Sequence, residues 1–236
     1  MKNQYFGDRR DFFKYDLLLD LVGSHGNRRL TFIPMLTPND RSGEGQLTRY
    51  ECAGRRSLLF ESLRTAVNSG ERDIRLLRTI MPGFGVRFNA HRDADCFEHE
   101  SRTLYFDSVP DAWLAEAVIF FDPDVGLQTG SRGYMRQRGF QKYLMYSDLT
   151  SIWNRASANS VVVVYQHLQR NALKHPADIR RRLADLKTHL AVNSVWAIRQ
   201  GDLALLVAVQ DDSLARRTGS TLQNHALRHS LVLTSV

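Results

Sequence analysis

Ala117-Val118-Ile119-Phe120-Phe121-Asp122-Pro123-Asp124 is the stretch on which the fold reading turns. Its apolar residues run on without alternation, which is the pattern of a strand covered on both faces, as in a parallel sheet. The run then breaks at once into Asp-Pro-Asp. A second run of the same kind follows at Ser160-Val161-Val162-Val163-Val164-Tyr165-Gln166-His167. Between them, residues 139–154 have helical character. Upstream, Leu30-Thr31-Phe32-Ile33-Pro34-Met35-Leu36 reads as an earlier strand, preceded by a helix carrying Phe12, Phe13, Leu17, Leu18 and Leu21, with Asp8 or Asp11 as its cap.

Working outward, the spacing of Leu58, Leu59, Leu63 and Val67 predicts a helix over 55–68. Ile179, Leu183, Leu186 and Leu190 predict another over 176–190, with Pro176 in its first turn. Residues 73–80 (DIRLLRTI) and 102–106 (RTLYF) read as strands. Runs 194–198 and 203–209, separated by Arg199-Gln200-Gly201-Asp202, read as an antiparallel hairpin. Strands alternating with helices imply right-handed crossovers and an α/β fold. The expectation is one domain over 1–236, a mostly parallel sheet closed by a carboxy-terminal antiparallel hairpin, with insertions near 37–54 and 82–100. The tail after Asp211 is polar and weakly patterned.

The chain has 236 residues and 43% hydrophobic content, enough for a sizeable core. The start, Met1-Lys2-Asn3-Gln4-Tyr5, has no apolar leader, and no apolar run approaches the ~20 residues of a membrane span. A cytoplasmic protein with no membrane partner is expected. Cys52 and Cys96 lack paired metal-ligand spacing and read as reduced thiols. His91, His99, His167 and His175 do not combine with Cys96 into a zinc pattern, so no metal site is assigned. The formal net charge is +7, with 32 Lys and Arg against 25 Asp and Glu. Nucleic acid, RNA or DNA, is the natural partner for a basic chain rich in arginine.

In open α/β sheets ligands bind beyond the carboxyl ends of the strands. Three polar clusters fall there: Thr37-Pro38-Asn39-Asp40, Asp122-Pro123-Asp124 and Tyr165-Gln166-His167. Asp122 follows the apolar run directly, so its carboxylate should be desolvated and in need of a donor or cation. The same Asp is also a good turn cap. Asp11 and Lys14, three apart, share a helix face, as a surface ion pair would.

Gly7-x-x-x-Asp11-x-x-Lys14 before the first strand, together with Asp122-Pro123-Asp124-Val125, resembles the signatures of the bacterial large-subunit ribosomal RNA adenine-N6 methyltransferase J family. There a Gly-Asn-His-Ala-Asp-x-x-Lys-His stretch precedes the first strand and Asp-Pro-Pro-Tyr ends the fourth. The resemblance implies a Rossmann-like methyltransferase fold acting on nucleic acid, with S-adenosylmethionine as cofactor. It assigns Lys14 to the cofactor pocket and Asp122 to accepting a proton or hydrogen bond from the target amine; taken with the strand-end clusters, the expected cofactor contacts are Gly7, Asp8, Asp11, Lys14, Thr37 and Asp40, and the expected catalytic residues Asp122, Asp124 and His167. The pattern departs from the family at two points. Pro34-Met35-Leu36-Thr37-Pro38 stands where a glycine-rich turn belongs, and Val125 stands where an aromatic would stack on the target base. A descendant with altered chemistry is therefore a second expectation.

Two other classes compete. A strand ending Asp-x-Asp also resembles the first motif of haloacid-dehalogenase-like phosphatases, and Asp122, Asp124 and His167 could hold Mg²⁺ in a nuclease or phosphoesterase. No ExK follows the Asp-Pro-Asp, and Val125-Gly126 replaces the phosphatase order. The third class is a non-catalytic nucleic-acid-binding module. Its argument is the arginines, including Arg170, Lys174, Arg180, Arg181, Arg182 and Lys187 around the 176–190 helix.

Overall fold

The computed structural model describes residues 1–26, 28–40, 45–50 and 56–236. In chain order the strands are β1 (Arg29–Pro34), β2 (Arg87–Ala90), β3 (Val118–Asp122), β4 (Gly126–Leu127), β5 (Tyr143–Leu144), β6 (Val161–His167), β7 (Ser194–Gln200), β8 (Leu203–Val209) and β9 (Val232–Ser235). The helices are α1 (Arg9–Ser24), α2 (Ser57–Ser69), α3 (Leu77–Ile80), α4 (Arg102–Asp107), α5 (Asp111–Leu114), α6 (Arg132–Arg138), α7 (Tyr146–Arg155), α8 (His175–Leu190) and α9 (Asp212–His229).

Seven strands form one sheet in the order β2-β1-β3-β6-β8-β7-β9, and β4 pairs with β5 in a small separate one. β1 runs parallel to both β2 and β3, and β3 parallel to β6. β8 is antiparallel to its neighbours β6 and β7, and β9 is antiparallel to β7. Five strands (β1, β2, β3, β6, β7) therefore point one way and two (β8, β9) the other. This is an α/β fold with a mostly parallel sheet. The 194–198 and 203–209 runs do pair antiparallel, but they do not close the sheet, because β9 lies outside them at the edge.

Side-chain alternation explains why β3 is apolar throughout. Val118 and Phe120 face one core with Phe13, Leu17 and Leu21 of α1, Leu63 of α2 and Leu222 of α9. Ile119 and Phe121 face the other, with Phe106 of α4, Leu149 and Ile152 of α7 and Leu183 of α8. The sheet is thus sandwiched between two helical layers.

Five expectations change. Residues 102–106 are in helix α4, where Arg102, Tyr105 and Phe106 are buried and Leu104 is exposed, a helical rather than a two-residue period. Residues 73–80 form a 3₁₀ turn, Ile74–Leu76, running into α3. The segment 82–100 is not simply an insertion, since it supplies the edge strand β2. The tail is ordered as α9 and β9. Within 139–154, α7 covers only the second half, after β5. Of the 37–54 segment, residues 41–44 and 51–54, with Cys52, lie outside the described residues. Cys96 is exposed and free. No helix among the described residues is long and apolar enough to cross a membrane.

Candidate functional site

The sheet changes winding direction between β1 and β3: β1 has β2 on one flank and β3 on the other. A crevice outside the carboxyl ends of these two strands is where α/β sheets take ligands. Asp122 is the last residue of β3 and is only 1% exposed.

Its partner comes from α1. Asp8 caps that helix, its Oδ1 accepting from the backbone N–H of Arg10 at 2.8 Å and of Asp11 at 3.1 Å. This sets the helix so that Asp11 and Lys14 both face the sheet rather than solvent, which excludes the surface-pair reading. Lys14 Nζ lies 2.6 Å from Asp11 Oδ1 and donates to Asp122 Oδ2 at 2.8 Å. It also lies 5.1 Å from the centre of the Tyr165 ring at the end of β6. Asp11 Oδ2 accepts from the Gly7 N–H at 3.0 Å. Gly7 has φ +87°, and a Cβ there would fall 2.7 Å from Val67 Cγ2 and 2.8 Å from the Leu63 carbonyl oxygen. Glycine is therefore required at this position.

Three carboxylates, Asp8, Asp11 and Asp122, thus surround one ammonium. Burial first, then the like charges of Asp8 and Asp122, push the Asp11 pKa up to about 7 despite Lys14. Burial also raises Asp8. Burial alone would lower Lys14, but Asp11 and Asp122 hold it well above the usual lysine value. With all three ionised the cluster would carry two negative charges more than its cation neutralises, and a proton on Asp11 relieves one of them.

The mouth of the crevice is occupied by the segment Met1–Tyr5. The Met1 nitrogen donates to the Met35 carbonyl at 3.0 Å and to the Asp122 carbonyl at 3.4 Å, and lies 3.7 Å from Asp124 Oδ1. Thr37 donates to the Met1 carbonyl through its N–H at 2.7 Å and its hydroxyl at 3.2 Å. Asp40 pairs with Lys2 and accepts from Gln4 Nε2 at 3.0 Å. Thr37 and Asp40, expected as cofactor contacts, fasten this segment in the structure. Asp124 reaches Lys142 as well, at 3.6 Å.

His167 is not brought to the carboxylates. Its Nε2 lies 3.2 Å from Asp202 Oδ2, which also accepts from Arg10 at 2.6 Å. The hydrogen bond with His167 and the Arg10 charge hold Asp202 down at about 2. Gln166, fully buried, accepts from the Leu127 N–H at 3.0 Å and so fastens β4 to the end of β6.

Neither expected group fits these residues. Met1, Tyr5, Asp8, Arg10, Asp11, Lys14, Asp122, Asp124 and Tyr165 line a cavity of about 20 Å³. A pocket that buries a drug-sized ligand spans roughly 300–1,000 Å³. The polar atoms that would hold S-adenosylmethionine are already paired with one another. A Mg²⁺ set of Asp122, Asp124 and His167 is not assembled either, and the place a cation would take beside Asp122 is filled by the Lys14 ammonium. Among the described residues, one group has metal-ligand geometry, and it lies elsewhere: Asp16, His225 and His229.

Two segments that follow the carboxyl ends of β3 and β6 in the chain are basic. α6 follows β4 and exposes Arg132, Arg136 and Arg138, and the loop after β6 exposes Arg170 and Lys174. None of the five has a carboxylate partner among the described residues. The Arg138 guanidinium lies 5.4 Å from the centre of the exposed Tyr134 ring, and Leu173 is 91% exposed. Of the α8 arginines, Arg180 and Arg181 are exposed and Arg182 is buried. Arg182 bonds Asp178 and the Leu127 carbonyl, while Arg181 pairs with Asp178 and Asp185. Of that run, Arg180 alone is both exposed and unpaired.

Comparison with protein-family models, with curated proteins and with solved structures returns no match.

Proposed function

We propose that this chain is a methyltransferase-like α/β protein of altered chemistry, which binds nucleic acid on these basic segments and does not use the crevice for S-adenosylmethionine. The observation that carries the reading is five exposed cations with no carboxylate partner among the described residues: Arg132, Arg136 and Arg138 on α6, which also exposes Tyr134, and Arg170 and Lys174 after β6, beside exposed Leu173 in sequence. Unpaired arginines are available to phosphates, and an aromatic beside them offers a base a stacking face. Single-stranded RNA or DNA is the substrate class this combination suits. The Rossmann-like, methyltransferase-type reading draws support from the switch point at β1/β3, from the buried Asp122 beside it, and from the β7–β8 hairpin. The closed crevice supports the altered chemistry.

The test is a pair of titrations on the wild-type protein. Fluorescence anisotropy with a labelled single-stranded oligonucleotide is expected to show saturable binding. Calorimetry with S-adenosylmethionine is expected to show no heat of binding. Tight cofactor binding would overturn the closed crevice, and absence of oligonucleotide binding at low salt would overturn the nucleic-acid reading.

A further inference from the structure

On the helical face opposite α4, α7 and α8, α1 packs against α9, and two pairs of polar residues meet there. Asp16 and Asp20 stand one helical turn apart on α1, and His225 and His229 one turn apart on α9. Four-residue spacing puts each pair on one side of its helix. Asp16 and His225 are buried in what is otherwise the apolar seam between the two helices. One ligand atom each of Asp16, His225 and His229 lies within 4.8 Å of the others.

We propose that Asp16, His225 and His229 form a divalent transition-metal site of the Zn²⁺ class, with Asp20 as the carboxylate that orients His225. Nitrogen and oxygen donors in this mixture suit Zn²⁺ rather than Mg²⁺ or Ca²⁺, which prefer oxygen alone. Zn–ligand bonds of about 2.0–2.1 Å in a tetrahedron put ligand atoms about 3.4 Å apart. His229 Nε2 and Asp16 Oδ2 already stand 3.1 Å apart. The other ligand atoms lie within 4.8 Å of one another and would draw together on binding.

Asp20 supplies the second observation. His225 Nδ1 lies 2.7 Å from Asp20 Oδ2. A carboxylate only accepts, so Nδ1 carries the proton and Nε2 keeps its lone pair for the ion. A carboxylate behind a ligating histidine is the usual outer support of such sites.

Three protein ligands leave a fourth position. A cavity of about 190 Å³ lies against two of the three, lined by Asp16, Asp20, Arg56, Arg228 and His229. Arg56 donates to Asp16 Oδ1 at 3.0 Å and to Asp20 Oδ1 at 2.8 Å, and Arg228 pairs with Asp20. Both guanidiniums are partly exposed and can turn outward when an ion takes over the carboxylate charge. There they would face an oxyanion in the fourth position, hydroxide or phosphate being small ligands of that charge.

The experiment is a titration of the metal-free, full-length protein with Zn²⁺, and in parallel with Co²⁺, whose tetrahedral complexes absorb strongly in visible light. About one equivalent should bind, with a tetrahedral Co²⁺ spectrum and shifted ring signals of His225 and His229 in NMR. His229→Gln should abolish the spectrum, and Asp20→Asn should weaken affinity by roughly 10-fold or more. The wild-type ring signals decide the matter even if a variant fails to fold. No stoichiometric uptake by wild type, unmoved ring signals, or a folded His229→Gln protein with unchanged affinity would each overturn the site.

Discussion

Lys14→Met tests the centre of the molecule. Methionine keeps the unbranched stem and removes the ammonium, leaving Asp11 and Asp122, each 1% exposed, facing one another without their shared cation. Breaking a buried pair by removing one partner costs about 3–5 kcal/mol. Two carboxylates depend on this one cation, which argues for the upper end at pH 8. For a chain of this length that is a fall in Tm of roughly 6–20 °C. The loss should shrink in acid. Asp11 has a folded pKa of about 7, above its unfolded value. Its contribution to stability is therefore fully present below pH ~4 and is lost as pH rises through 7, by at most about 1.4 kcal/mol per pH unit. At pH 5.5 Asp11 enters the folded state largely protonated, so the missing ammonium matters less. Urea unfolding followed by circular dichroism at pH 8 and pH 5.5 measures both quantities. A loss below about 1 kcal/mol at pH 8, or the same loss at both pH values, would refute the reasoning.

Asp122→Asn removes one of the two like charges that raise Asp11, so NMR titration should find the Asp11 pKa lower than in wild type; an unchanged value would separate the two carboxylates. Gly7→Ala should lower stability by more than 1 kcal/mol in the same urea assay, because φ +87° and the contacts with Val67 and Leu63 both oppose a Cβ. Gly126→Ala should be damaging too: with φ +135°, its Cβ would fall 2.4 Å from Gln166 Oε1 and break the fastening of β4 to β6, which thermal unfolding would register.

Much of the sheet was legible because β3 and β6 are buried on both faces and need uninterrupted apolar residues. α8 and the β7–β8 pairing were legible for similar reasons, from a clean stripe and a short turn. α9 was not, because its buried face includes Thr218 and His225 alongside leucines and alanines, which blurs the stripe. α4 was misread because Tyr105 and Phe106 suit strands in composition, while the burial of Arg102 with them has helical spacing. In the site, Asp122, Asp11 and Lys14 could be singled out from sequence, and the structure joins them. The fastening of Met1–Tyr5 by Thr37 and Asp40 could not, since contacts between residues some 35 positions apart leave no periodic trace. Tyr165 was visible as part of a strand-end cluster, but its place over Lys14 needed the sheet order. Asp16/Asp20 and His225/His229 each show four-residue spacing, yet only the packing of α9 on α1 brings the pairs together.

The measurement that bears most directly on the proposed function is the salt dependence of oligonucleotide binding by wild type and by an Arg132/Arg136/Arg138→Ala variant. Each phosphate contact on a single strand contributes about 0.7 to the slope of log affinity against log salt. The account predicts a steep wild-type slope and a loss of about 2 from that slope in the variant, with the fold unchanged by circular dichroism. Equal affinity and equal slope for the two proteins would contradict it.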